Sequence, residues 1–135
     1  MSLTPRQLLE YAESLNLEAS EAQVRTVISR AYYALLLRAK EVTPKEFFKP
    51  SSNKETTHAE VIGAVERHGA SLQPGRTLAK QVAQNLTKLR VDRVISDYQL
   101  GETVTSQRAK PNLERARMAL GWCDQIYQLL RAQKG

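Results

Sequence analysis

The chain has one cysteine, Cys123, and two histidines, His58 and His68, among its 135 residues. A lone cysteine excludes an internal disulfide framework and fits a reducing cytoplasm. The same scarcity argues against a structural zinc site, which draws on several sulfur and nitrogen ligands; no metal or other cofactor is expected. Hydrophobic runs are short, and none approaches the roughly 20 residues that cross a bilayer. The opening Met-Ser-Leu-Thr-Pro-Arg has no basic segment followed by an apolar one, so no secretory signal is expected. The six glycines are scattered, which leaves no glycine-rich phosphate loop. No run of alternating β-branched residues stands between turns, so no strand is expected. Repeats and low-complexity tracts are absent as well. The length suits one domain, residues 1–135, with a real core.

What the chain does have is helical periodicity. From about Glu21 to about Val42, apolar residues fall at Val24, Val27, Ile28, Ala31, Tyr32, Leu35, Leu36 and Ala39, an i, i+3, i+4 pattern. Tyr33, Ala34 and Leu37 widen that stripe, so this helix is expected to be covered on more than one side. Ser20 stands at the N-cap position with Gln23 three residues on, a capping-box spacing. Thr4-Pro5 reads as the start of an earlier helix buried through Leu8, Leu9, Ala12 and Leu15. The short link Asn16–Ala19 makes the two helices a hairpin. After Thr43-Pro44 an irregular segment runs to about Thr57. Within it, Ser51-Ser52-Asn53-Lys54 reads as an exposed loop, while Phe47 and Phe48 are expected to tuck onto the bundle rather than meet a ligand.

Thr57 caps a short helix through Arg67, with His68 offsetting the macrodipole at its end and Gly69 as its C-terminal cap. Gln73-Pro74-Gly75 is a turn. A fourth helix spans about Thr77 to Tyr98, with Leu78, Val82, Leu86 and Leu89 inward and Val94, Ile95 and Tyr98 continuing the stripe. A polar connection at 101–108 leads to a last helix, about Pro111 to Arg131. It buries Leu113, Ala116, Leu120, Cys123, Ile126, Tyr127 and Leu130. The sum is an all-α fold: an up-and-down four-helix bundle with an additional short helix.

The net charge of +6 is unevenly spread. Residues 1–70 carry nine basic and nine acidic side chains, whereas residues 71–117 carry nine basic and four acidic ones. An anionic partner such as RNA would meet the second half; otherwise the surplus is a solvated face. Cys123 lies on an apolar helical stripe and reads as an inert thiol. Ser29 has no strained turn around it, so it is no nucleophile elbow. His58, at a helix N-terminus, is either a catalytic base or a structural histidine. Arg30 sits between buried-looking neighbours and needs an acid. Asp97 is the candidate, although Arg93 stands four residues before Asp97 and offers the simpler i, i+4 pair.

Two stretches carry a resemblance: Ser29-Arg30-Ala31-Tyr32-Tyr33-Ala34 in the second helix and Arg93-Val94-Ile95-Ser96-Asp97-Tyr98 in the fourth. With His58 opening a helix between them, the chain resembles the HEPN superfamily of small helical bundles over roughly residues 5 to 132. The resemblance implies a four- or five-helix bundle, often a homodimer. It also implies a setting in toxin–antitoxin, CRISPR or antiphage systems, and commonly a nucleotidyltransferase-like protein partner. Many such domains are metal-independent ribonucleases; others only bind RNA or protein. Their catalytic signature is an arginine followed four to six residues later by a histidine. Aligned on Tyr98, the histidine position here is Ser96 and the arginine position is Val91. The expectation is therefore an RNA- or protein-binding module without the usual nuclease motif, with Arg30, Tyr33, Arg90, Arg93, Asp97 and Tyr98 as binding residues. The alternatives are a ribonuclease using a non-standard set such as Arg30, His58, Arg93 and Tyr98, and a purely regulatory interaction module.

Overall fold

The computed structural model describes residues 3–49 and 57–134. It is all-helical: α1 Pro5–Ser14, α2 Glu21–Val42, a single 3-10 turn at Lys45–Phe47, α3 His58–Ser71, α4 Arg76–Tyr98 and α5 Ser106–Lys134. No strand occurs among the described residues. The exposed loop expected at Ser51–Lys54 lies outside them.

Local chemistry sets the helix starts. The Thr4 hydroxyl accepts from the Gln7 N–H while the Gln7 side chain accepts from the Thr4 N–H, and Pro5 occupies the first turn. The hydroxyls of Ser20 and Thr57 likewise accept from Gln23 and Glu60. α4 starts differently: Gly75 at φ 116° makes the turn into the helix, a left-handed conformation that suits glycine.

α2 is the central element and packs against α1, α3, α4 and α5. Its neighbours run in alternating directions. Val24, Val27 and Ile28, near its start, share a cluster with Ala12, near the end of α1, and with Val104 and Ala109, around the start of α5. Arg38, near its other end, meets Asp124 far along α5. The main core joins Tyr32, Leu35 and Ala39 of α2 to Leu86 and Leu89 of α4 and Leu120 and Cys123 of α5. Helices α1, α2, α4 and α5 thus form the up-and-down bundle, and α3 lies against α4 as the additional helix. Polar clamps bind the outside. Asp124 is held at 3.0 Å by Arg6 and at 2.9 Å by Arg38, and Arg117 pairs with Glu13. No described helix is long and apolar enough to cross a membrane.

Several boundaries differ from the sequence reading. α3 continues past Gly69 to Ser71 with Leu72 as its C-cap, so Gly69 is interior. A β-carbon there would stand 2.7 Å from the Ala79 Cβ, which means the glycine serves close approach of α3 to α4 rather than helix termination. His68 keeps its place in the last turn of α3, but it is 3% exposed and stacks on Phe47, ring centroids 4.9 Å apart. Arg67 fastens the same segment by donating to the Phe47 carbonyl at 2.8 Å, and Phe48 packs on the core. α5 begins at Ser106, with Pro111 inside it. The buried Ala109 and Asn112 hold these early turns, Asn112 donating to Asp92 and to the Arg108 carbonyl. Leu37 and Tyr127 are exposed rather than buried.

Candidate functional site

The two motif stretches face each other across α2 and α4. On α2 a polar seam runs through an otherwise apolar helix at four-residue spacing: Glu21, Arg25, Ser29, Tyr33. Such spacing places side chains on one helix face. On α4 the facing groups are Arg93, Ser96 and Asp97.

Arg93 is the hub. It is only 9% exposed, and a buried guanidinium needs partners. Its Nη2 donates to the Tyr33 hydroxyl at 2.5 Å and to the Tyr98 hydroxyl at 3.3 Å. Its Nε lies 2.9 Å from Asp97 Oδ2, but the N–H points off the line of that oxygen, making this an ion contact rather than a hydrogen bond. The guanidinium carbon also sits 5.1 Å from the ring centroids of both Tyr33 and Tyr98. Burial alone would lower the Arg93 pKa; Tyr33, Asp97 and Tyr98 outweigh it and raise it.

His58, half-buried at the start of α3, completes the cluster. Its ring lies 5.4 Å from Tyr32 and 5.9 Å from Tyr33, and the two tyrosine rings are 5.5 Å apart. Burial first, then the positive fields of Arg93 and Arg90, push the His58 pKa below its ordinary value. The imidazole is therefore neutral near pH 7. Tyr32 is fully buried and its phenol is pushed up to about 12 by burial. Tyr98, by contrast, is 67% exposed at the end of α4.

The structure thus gathers Tyr33, His58, Arg90, Arg93, Asp97 and Tyr98 around one cluster. Arg30 is the exception. It is exposed and makes no ion pair with Asp97; Asp97 takes Arg93 instead, and the Ser29 hydroxyl donates to its Oδ2 at 3.3 Å. Arg30 lies at the margin of a groove of about 490 Å³ between α2 and α4, lined also by Arg25, Ser29, Tyr33, Ser96 and Asp97. Tyr98 does not continue the α4 core stripe either; Ser96, 2% exposed, is buried in its stead.

Arg25 was missed from sequence. Its Nη1 donates to the carbonyls of Ile95 at 3.1 Å, Ser96 at 3.0 Å and Gln99 at 3.3 Å, and its Nη2 to that of Glu102. Glu21 pairs with Arg25 at 3.7 Å and accepts from the Val104 N–H. One cation from α2 thereby ties together carbonyls of the last turn of α4, its C-cap Gln99 and the connection that follows, and holds the turn bearing Asp97 and Tyr98. The signal available in the sequence was the seam spacing, since Arg25 falls four residues before Ser29.

The described residues hold no cluster of histidine, cysteine and carboxylates that would bind a metal. The arrangement offers cations, phenols and a neutral imidazole, a set that suits a phosphodiester or a nucleobase. No family model, curated protein or solved structure matches the chain.

Proposed function

We propose that this chain is a HEPN-like RNA-binding module that lacks the usual nuclease motif. One observation carries the reading: exposed Arg30 and Tyr98 and half-buried Arg90 and His58 converge beside the polar seam of α2 and α4. Arginine for phosphate and aromatic faces for unstacked bases are the usual means of holding single-stranded RNA. Arg93 is a positioning residue in this reading, because its donors are turned to Tyr33 and Tyr98 and its charge faces Asp97. Lys80, Lys88, Arg90, Lys110 and Arg115 make no ion pair among the described residues and extend the positive field. The resemblance adds the setting: a toxin–antitoxin or phage-defence system, a homodimer, and a nucleotidyltransferase-like partner.

Binding of a labelled single-stranded RNA, followed by anisotropy, tests this. Affinity should fall about tenfold or more between about 50 and about 200 mM salt if several phosphates are contacted. A flat salt dependence would refute it. One observation favours a second reading, a metal-independent ribonuclease: the neutral His58 beside two arginines is poised as a general base. Incubation with total RNA in EDTA separates the two. Cleavage by the wild type and not by His58→Ala would establish the nuclease; intact RNA with both would leave the binding module.

A further inference from the structure

We infer that Tyr98 is a pre-set stacking platform for one unstacked base of any identity, and that Arg25 is the positioning residue that fixes it; the inference rests on the RNA-binding reading. Tyr98 ends α4 and is 67% exposed. A ring in that place ordinarily has little to hold it, since helix ends fray and ordering a side chain without burying it costs conformational entropy. Here the residue is held twice. Its hydroxyl accepts from Arg93 Nη2 at 3.3 Å, and Arg93 is itself held by Tyr33 and Asp97. Its backbone is held by Arg25, which donates to the carbonyls of Ile95, Ser96, Gln99 and Glu102, before and after Tyr98 in the chain. The Arg25 side chain is 11% exposed and pairs with Glu21 at 3.7 Å, and Glu21 also accepts from the Val104 N–H beyond the turn. Among the described residues, every hydrogen bond that Arg25 donates from its side chain goes to backbone flanking this one exposed ring.

The chemistry of the ring says what it takes. Its one polar side-chain atom is turned to Arg93, so what Tyr98 offers outward is π surface. The Arg93 guanidinium carbon stands 5.1 Å from the ring centroids of Tyr98 and Tyr33, between the two tyrosines, and the exposure of Tyr98 leaves ring surface open on the side away from it. The flat partner of such a surface in RNA is a base. Every base has a π-face, so a platform of this kind is tolerant of sequence, and any preference follows stacking strength rather than a hydrogen-bond pattern. A ring already fixed before the base arrives has little freedom left to lose on binding.

The test uses the whole chain and two short labelled strands of equal length and charge: an oligoadenylate and its fully abasic counterpart. The wild type should bind the oligoadenylate about tenfold tighter than the abasic strand. Tyr98→Ala should erase most of that ratio while leaving affinity for the abasic strand unchanged, and Tyr98→Trp, which restores a ring, should recover it. Arg25→Met should shrink the ratio severalfold, again with the abasic strand unaffected. Equal binding of the two strands by the wild type would overturn the platform while leaving RNA binding in place. A ratio that survives Tyr98→Ala would overturn Tyr98 as its source. Equal losses on both strands in Arg25→Met, or no loss on either, would overturn the positioning role of Arg25. No binding of either strand would overturn both readings.

Discussion

Arg30 and Arg93 illustrate how one residue type divides into two roles. Arg30 is flanked in sequence by the buried Ser29 and Ala31, yet each helical residue turns the side chain by about 100°, and position 30 emerges on the same outer strip as the exposed Leu37. Arg93 points inward. Replacing Arg93 with methionine should cost about 2–3 kcal/mol in urea denaturation, because it leaves Asp97 and two phenols without their cation. Arg30→Ala should stay within about 0.5 kcal/mol of the wild type; a larger loss would mean a hidden partner. The histidines make a pH prediction. Burial lowers both His58 and His68 from the ordinary 6.5, so the folded chain binds fewer protons than the unfolded one. Stability should be flat above about pH 7 and fall as the pH drops below 6.5 towards the lowered values. His68→Gln should flatten part of that fall, as read by urea midpoints across the pH series.

Among the elements, helix existence was legible from apolar spacing and caps, and α2 runs from Glu21 to Val42 as its pattern indicates. What escaped was anything set by a partner helix. Gly69 has the appearance of a stop signal in one dimension, but its role is defined by Ala79, ten residues away on α4. Gly69→Ala should therefore cost about 1–3 kcal/mol by overpacking. Gly63→Ala meets only the flexible tip of Arg67, at 3.1 Å, and should be neutral or slightly stabilising through helix propensity. Equal effects would contradict the packing account. The site divides in the same way. Its motif residues were recognisable as a set, but Arg25 was not, because its targets are backbone carbonyls that carry no sequence signature. Arg25→Met should speed amide hydrogen exchange over residues 95–104 while leaving the middle of α2 protected. Uniform acceleration would show that Arg25 supports the whole bundle instead.

For the whole molecule, Cys123 is a built-in reporter. It is fully buried in the main core, and burial pushes its thiol up to about 12. A thiol reagent should label it only at the rate of global unfolding; prompt labelling of the native protein would reveal local opening of α5. The clamp of Arg6 and Arg38 on Asp124 has a further consequence. It sets the first turn of α1 beside the later turns of α5, at the Arg38 end of α2. The groove opens near Arg25, thirteen residues back along the same helix, about 20 Å away at 1.5 Å per residue. A bead, a fluorophore or a fused domain attached at either end of the chain would hang from the pole opposite the groove, so that a tethered molecule presents the same open face as a free one.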